Sequence, residues 1–282
     1  CDGDNSSCLD DCGVPNGDNS ACYQGPNWYV DDILQNGDGS QDSPFNTIQE
    51  AIDSATNGDT IFVLSGTYYE SISVESKSLT IIGDGSNNTI IDAIGKNKRV
   101  CKLNISSSNI VSMDINMSGF SITNGDCEGA NCSGGGIAIL GNSSTNRLNA
   151  NLSDMQVYEN SADRHAGGIY FSYANATISH SQIFSNEAGS QGGAIRATNS
   201  SSTILNYVLV DKNKASSSTC GIKYEQGHHQ INNSTIVNNS GPNCNYGINF
   251  YRNGLILRNS IIYFNDGTDL SVDQSNLLDA EY

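Results

Sequence analysis

Residues 183–197 read IFSNEAGSQGGAIRA, and this stretch contains the two markers that decide the fold. Asn186 follows the β-branched Ile183 by three residues, and Ile195 closes a Gly-rich tetrad nine residues after Asn186. The apolar residues occur in short runs separated by Gly, Ser and Asn, which is not a helical pattern. The stretch therefore predicts short strands joined by tight turns.

Both markers recur along the chain in a constant phase. The marker asparagines recur at a nearly constant spacing of about 26 residues, and they are Asn160, Asn186, Asn213, Asn239 and Asn265. The marker isoleucines each lie nine residues after an asparagine, and they are Ile169, Ile195, Ile222 and Ile248. Self-similarity at this period, without a helical or leucine-rich pattern, indicates a β solenoid. An earlier coil fits the phase if insertions around residues 126–132 and 141–146 lie in turns.

Alternation of period two within each coil predicts a parallel β-helix whose rows stack in register, roughly 4.8 Å apart. One inward row is predicted to contain Ile137, Ile169, Ile195, Ile222 and Ile248. The next inward row is predicted to contain Ile139, Phe171, Ala197, Tyr224 and Phe250. The five marker asparagines form a third ladder at a turn, where side-chain amides can bond to the coils above and below.

The N-terminal part predicts a start for this stack. Trp28, Tyr29 and Val30 read as a strand, and a short amphipathic helix is expected to begin with Ser43. The apolar face of that helix comprises Phe45, Ile48, Ala51, Ile52 and Ala55. A helix before the first coil would cover the apolar end of a solenoid. We divide the chain into a leader over residues 1–25, a cap over 26–58 and coils over 59–282.

Charge and hydropathy exclude two classes of partner. Lys and Arg total 13 against 30 acidic residues, which gives a net charge of −17. A chain this acidic repels phosphate backbones, so we expect no nucleic-acid partner. No apolar run reaches the length of a membrane-spanning helix.

Nine cysteines in a chain rich in Asn, Ser and Gly predict disulfides and an oxidising, extracellular compartment. Cys127 and Cys132 lie in one insertion and are expected to pair, with Cys101–Cys127 as the alternative. Cys244 follows Cys220 at two residues less than one full coil, so a bond between them requires a bent turn. The pairing of the remaining cysteines stays open, and these are Cys1, Cys8, Cys12, Cys22 and Cys101.

Two segments resemble known β-helix families. Residues 60–70 (TIFVLSGTYYE) and 79–85 (LTIIGDG) belong to a stretch, 28–92, that resembles the opening of pectate-lyase-like proteins. The coils from Gly134 onward are similar to the repeats of polymorphic outer membrane proteins, whose marker pair is GGA[ILV] and FxxN. Gly192-Gly193-Ala194-Ile195 matches the first marker in full, whereas Val or Ile replaces the Phe of the second. The resemblance implies a right-handed parallel β-helix over about nine-tenths of the chain and says little about activity.

The leader resembles the aspartate-rich, calcium-binding repeats of thrombospondin type 3-like proteins. Asp10, Asp11, Asn16 and Asp18 cluster hard oxygen ligands around Gly and Pro turns, which is the chemistry that Ca²⁺ prefers. The alternative is a solvated linker held by disulfides.

One outward column carries the candidate chemistry. Tyr170, Arg196 and Lys223 directly follow the ladder isoleucines of three successive coils. Arg and Lys could neutralise the carboxylate of an acidic glycan, and Tyr could act as a base in its eliminative cleavage. The alternative is an ordinary exposed strand face. Turn residues expected nearby are Arg164, His165, His228 and His229.

The sequence alone favours a secreted or bacterial cell-surface protein of structural or adhesin-like type, without catalysis. Its expected partner is an extracellular polysaccharide or a cell surface, bound at Tyr170, Arg196 and Lys223. The alternative is a polysaccharide lyase or hydrolase that acts on an acidic polysaccharide. A third hypothesis is end-to-end self-association into a fibre, because the last coil shows no cap and an open coil is an open sheet edge.

If the leader binds Ca²⁺, a chelator should loosen residues 1–22 and leave the coils folded. Limited proteolysis with and without chelator measures this, because an ordered metal-bound loop resists cleavage. Equal cleavage of the leader under both conditions would count against a calcium site there.

Overall fold

The computed structural model describes residues 25–33, 37–252, 254–272 and 278–281. The predicted leader, with Asp10, Asp11, Asn16, Asp18 and its four cysteines, therefore lies outside the described residues, apart from Gly25.

The described residues form one helix and 26 strands. The first elements are β1 (Asn27–Val30), α1 (Ile48–Ser54), β2 (Thr60–Val63), β3 (Gly66–Tyr68), β4 (Ile72–Glu75), β5 (Leu79–Gly83), β6 (Thr89–Asp92), β7 (Cys101–Asn104), β8 (Ser112–Thr123) and β9 (Asp126–Cys127). The next are β10 (Ile137–Leu140), β11 (Arg147–Tyr158), β12 (Ser161–Ala162), β13 (Ile169–Ser172), β14 (Ala174–Phe184), β15 (Glu187–Ala188), β16 (Ile195–Thr198), β17 (Ser202–Asp211) and β18 (Lys214–Ala215). The last are β19 (Ser218–Tyr224), β20 (His229–Asn232), β21 (Thr235–Val237), β22 (Cys244–Phe250), β23 (Leu255–Arg258), β24 (Ile261–Tyr263), β25 (Thr268–Val272) and β26 (Leu278–Glu281).

These strands form three wholly parallel sheets of 14, 8 and 4 strands. The 14-stranded sheet runs β1-β2-β5-β8-β11-β14-β17-β20-β23-β26, with β3, β6, β21 and β24 beside this path. The 8-stranded sheet runs from β4 to β25 in steps of three strands, and the 4-stranded sheet joins β9, β12, β15 and β18. Each coil of the central stack visits all three sheets before it pairs with the next, so the fold is the predicted parallel β-helix, and parallel crossovers of this kind are right-handed.

The predicted inward rows are confirmed. Ile137, Ile169, Ile195, Ile222 and Ile248 are register partners on β10, β13, β16, β19 and β22. All five are fully buried, and so are the members of the next inward row, Ile139, Phe171, Ala197, Tyr224 and Phe250. The inward face of each parallel strand packs against like side chains on the coils above and below. The core therefore runs along the whole length of the stack.

The predicted asparagine ladder is also confirmed, and Asn213 shows its chemistry. Its Oδ1 accepts from the backbone N–H and Nδ2 of Asn186, at 3.1 and 2.9 Å. Its Nδ2 lies 2.9 Å from Oδ1 of Asn239 and from the carbonyl oxygen of Ile183, and 3.1 Å from that of Asp211. Because the side chain is fully buried, these bonds replace water for every polar atom of the amide.

The ladder holds a turn that would otherwise be strained. The residue before each ladder asparagine has φ between 54° and 56°, and none of these residues is glycine: Glu159, Ser185, Lys212, Asn238 and Phe264. Left-handed backbone costs an ordinary residue roughly 1–2 kcal/mol, which the amide bonds across the turn offset. At the C-terminal end of the ladder Asp269 takes the place of a sixth asparagine, since its Oδ1 accepts from the backbone N–H and Nδ2 of Asn265.

The N-terminal cap differs from the prediction in its details. The helix begins at Ile48 rather than Ser43, because Thr47 is its N-cap and forms a capping box with Glu50. Ile48, Ala51 and Ile52 are buried as predicted, while Phe45 lies before the helix and stacks on Trp28 at 5.7 Å. Strand β1 pairs in register with β2, so the stack already begins within the cap. This helix of seven residues is too short to cross a membrane, and no other helix occurs in the described ranges.

The structure contains both expected disulfides. Cys127 is bonded to Cys132 and Cys220 to Cys244, with Cα–Cα distances of 5.5 and 5.8 Å. Cys244 is in register with Ser218 rather than with Cys220, and the pairing of β19 with β22 is irregular between Ser218 and Ile222, where Cys220 lies. The alternative pair Cys101–Cys127 is wrong, because Cys101 is a free thiol buried in the core.

Replacing Asn213 by Leu should destabilise the fold by about 3 kcal/mol or more, because Asn186 and the Ile183 carbonyl lose buried partners at about 1–3 kcal/mol each. Urea unfolding measures the change. The matched control is Asn151→Leu, since Asn151 is an exposed strand asparagine, and a change within about 0.5 kcal/mol is expected. Equal effects of the two substitutions would show that the ladder does not stabilise the fold.

Candidate functional site

The structure brings the three predicted site residues together. Tyr170, Arg196 and Lys223 are register partners on β13, β16 and β19, so they stand on three successive coils roughly 4.8 Å apart. They point away from the core because the isoleucine before each of them points inward. Fully buried Ala138 precedes them in the column and Asn249 follows them.

Arg196 is the most constrained of the three. Its Nη1 lies 2.7 Å from Nδ1 of His165 and 3.0 Å from Oε1 of Gln191, and its Nη2 forms an ion pair with Glu225. Although it faces outward, only 9% of Arg196 is exposed. Its Nε is buried without a hydrogen-bond partner, and so one guanidinium donor of this residue is unused.

The neighbouring side chains hold Tyr170 and Lys223 at either side of Arg196. The Tyr170 hydroxyl lies 3.0 Å from Oγ1 of Thr198, and the Lys223 ammonium donates to Oδ1 of Asn249. Tyr251 packs on the far side of Lys223, with its ring centroid 6.0 Å from Nζ. The three residues therefore form a continuous surface along the stack.

Sequence reasoning missed Arg99, which lies two coils before Tyr170 and three residues before Lys102, a member of the same outward column. Its Nη2 lies 3.4 and 3.3 Å from the sulfur atoms of Cys127 and Cys132. Burial lowers the pKa of Arg99, while Tyr170 acts to raise the pKa values of both Arg99 and Arg196. We call Arg99, Tyr170, Arg196 and Lys223 the cationic site.

Sequence reasoning also missed Glu225, which contacts Arg196 in this site. Burial lowers the pKa of Lys223, and Glu225 acts to raise it, so this one carboxylate favours the charged form of both Arg196 and Lys223. The signal that could have found it is its position two residues after Lys223, on the same face of a strand.

His165 contacts the site as predicted and is uncharged at neutral pH. Burial lowers its pKa to about 3, assisted by the positive charges of Arg196 and Arg164. Because Nδ1 accepts from Arg196, the ring hydrogen lies on Nε2. His165 therefore holds the guanidinium in place without adding charge.

The other two histidines expected nearby do not belong to the site, which corrects the prediction. His229 is fully buried, stacks on Tyr224 at 3.8 Å and bonds to Thr203 at 2.9 Å. Burial lowers its pKa to about 4. His228 lines a groove on the 14-stranded sheet, beside Asn149 and Asn175.

The cationic site is suited to anions. It contains three cationic side chains against the single ion-paired Glu225, in a protein with net charge −17. Within the described ranges no group of three or more His, Cys, Asp and Glu side chains could hold a metal ion. Desolvated guanidinium groups form strong hydrogen bonds with carboxylates and sulfates.

Solved structures with the same fold are pectin methylesterases. The carrot enzyme has a TM-score of 0.55 at 13% identity, covering 93% of this chain and 85% of that chain. The deglycosylated Aspergillus niger enzyme has a TM-score of 0.52 at 15% identity, covering 90% and 83%. A mutant pectin methylesterase in complex with hexasaccharide IV has a TM-score of 0.50 at 12% identity, covering 89% and 80%. Identities this low show a common fold and leave activity open.

No protein-family model matches the sequence, and no curated protein matches it either. The pectin methylesterase structures confirm the parallel β-helix fold that the resemblance to pectate-lyase-like proteins implies. The likeness to outer-membrane-protein repeats and to calcium-binding repeats stays a prediction.

Replacing His165 by Leu should cost about 1 kcal/mol at pH 8, because Arg196 loses a buried acceptor. As pH falls from about 6.5 towards 3, the unfolded chain binds a proton at His165 that the folded wild type does not bind, so the wild type loses stability. Urea unfolding should therefore show that the difference in free energy of unfolding between wild type and His165→Leu becomes smaller at lower pH. Gln191→Leu removes the other Nη1 acceptor without removing a titrating group, so its difference in free energy of unfolding from the wild type should not change with pH. A difference for His165→Leu that is also independent of pH would contradict this placement of His165.

Proposed function

We propose that this protein is secreted and binds an acidic polysaccharide at the cationic site. The observation that carries the proposal is Arg196, a largely buried guanidinium that is held between Lys223 and Tyr170 on successive coils and has Glu225 as its ion-pair partner. Burying a cation is costly unless a partner compensates it. Glu225 supplies part of that compensation, and a uronate carboxylate or a sulfate ester would supply the rest.

The geometry of the stack favours an extended polymer over a small anion. Lys223, Arg196 and Tyr170 follow one another along the axis on successive coils. A chain that carries one acidic group per sugar can contact several of these residues at once, so that weak contacts add up. A small anion would gain only one of them.

Two further observations support an extracellular polysaccharide partner. The two disulfides are of a kind that persists in oxidising compartments. A mutant pectin methylesterase with the same fold binds a hexasaccharide, so this architecture can present a saccharide-binding surface. An adhesin-like role and end-to-end association are compatible with such binding and stay predictions.

Eliminative cleavage of a bound uronan is the second candidate function. The observation that favours it is the position of Tyr170, which stands in one outward column with Arg196 and Lys223, one coil before Arg196. In that reaction Tyr170 takes the proton from C5 and the C4–O bond breaks as a C4–C5 double bond forms. The Tyr170 hydroxyl then returns its proton to the departing oxygen. Hydrolysis of a methyl ester is less well supported, because Glu225, the carboxylate in contact with Arg196, is ion-paired rather than free as a nucleophile.

Titration calorimetry with oligogalacturonate and oligoalginate should detect binding that weakens with added salt. Arg196→Lys and Lys223→Gln should each weaken it about tenfold, the loss expected for one charge-assisted hydrogen bond. Lys212→Gln is the matched control, because Lys212 is an exposed lysine that follows β17 of the 14-stranded sheet, outside the column of Arg196, and is paired with Asp211. It should change the affinity less than about twofold.

The same proteins separate binding from cleavage. A lyase produces an unsaturated uronate that absorbs in the ultraviolet, and Tyr170→Phe should abolish that signal while it preserves affinity. Binding without absorbance removes the second candidate. No binding to any acidic oligosaccharide, or equal losses in the Lys212 control, would contradict the proposed function.

A further inference from the structure

The N-terminal end of the stack carries a second cleft with the opposite electrostatic character. It has a volume of 480 Å³ and lies on the outer face of β1, β2 and β5. Its floor is the row Tyr29, Phe62 and Ile82, which are register partners on three successive coils. The rings of Tyr29 and Phe62 stack at 5.3 Å.

This floor departs from the pattern of its own column. Further along the 14-stranded sheet the outward positions in register with Ile82 are Ser118, Ser153 and Ser179. A β-helix outer face is polar where it meets only water, so three consecutive apolar residues at one end mark a surface that contacts something else. Leu64, which is 42% exposed, extends the apolar strip past the end of β2.

Carboxylates surround the strip. Asp31 directly follows β1 and Asp84 directly follows β5, so they flank Leu64 from the coils on either side, roughly 10 Å apart at twice the strand spacing. Asp42 enters from the opposite wall of the cleft. None of the described lining residues is Lys, Arg or His.

The sequence around the cleft adds to its negative charge. Residues 1–76 contain 14 of the 30 acidic residues and none of the 13 Lys and Arg, since the first basic residue is Lys77. An occupant of this cleft has to be positively charged.

The cleft offers side chains rather than backbone for recognition. The backbone N–H groups of Tyr29 and Asp31 are taken by the carbonyls of Gly39 and Phe45, and β2 is paired on both edges. A peptide strand could therefore not add to the sheet here. A sugar ring needs no such backbone, since its apolar C–H face can cover the strip while substituents at its rim reach the carboxylates.

We propose that this cleft binds an oligosaccharide of hexosamine units with free amino groups. The ammonium groups would pair with Asp31, Asp42 and Asp84, and the C–H faces would cover Tyr29, Phe62 and Leu64. The cleft spans three coils, so about two sugar rings fit along it. This site is separate from the cationic site in both position and ligand charge.

Titration calorimetry on the full chain tests the proposal with three probes: a glucosamine pentasaccharide, its N-acetylated counterpart and pentalysine. The glucosamine oligomer should bind, and the other two should bind at least about tenfold more weakly, because one lacks the charge and the other lacks the sugar faces. Asp42→Asn and Leu64→Ser should each weaken binding of the glucosamine oligomer about tenfold. Both positions are at least partly exposed, so neither change is expected to unfold the chain.

Glu128→Gln is the matched control, since Glu128 is an exposed acid in the 126–132 insertion, and it should leave the affinity unchanged. Arg196→Lys should also leave it unchanged, which keeps this test independent of the cationic site. If Glu128→Gln and Asp42→Asn weakened binding of the glucosamine oligomer equally, the binding would reflect only the general attraction of a cation to an acidic protein. That result would overturn the proposal. So would equal affinity for the N-acetylated oligomer or pentalysine, or no binding of the glucosamine oligomer below about 1 mM.

Discussion

The asparagine ladder is the constraint on which the coils from Asn160 to Asn265 depend. Each amide is buried beside a left-handed turn residue and bonds to the neighbouring coils and to its own turn. A buried amide tolerates no slip of register, because a shift of one residue would leave its polar atoms unpaired. The ladder therefore keeps the period of the coils nearly constant, and this period aligns every other row.

On such a scaffold, candidate binding sites lie where an outward column differs from the ordinary polar surface. Tyr170, Arg196 and Lys223 form one interruption, and the strip of Tyr29, Phe62 and Ile82 forms the other. The first concentrates positive charge within an acidic protein, and the second lies in a segment with almost no positive charge. The two proposed sites therefore differ in the charge of the ligand that they would bind, and they lie at different positions along the stack.

Sequence reasoning succeeded where the information is periodic and failed where it is not. The inward rows, the ladder and the outward column of Arg196 all follow from counting one repeat along the chain. His229 could have been placed inside by the same count, since it lies one coil after buried Thr203 and in register with it. Arg99 and the wall around Asp42 lie in turns and irregular early coils, where no repeat fixes their position. Their contacts depend on tertiary folding that spacing alone does not encode.

A crystal structure of the protein with a bound uronate oligosaccharide tests the central claim most directly. We predict that a sugar carboxylate lies within hydrogen-bond distance of Nζ of Lys223, with a second acidic group near the Arg196 guanidinium and the chain running along the stack. The oligosaccharide bound on another face, without contact to Lys223 or Arg196, would contradict the assignment of the cationic site.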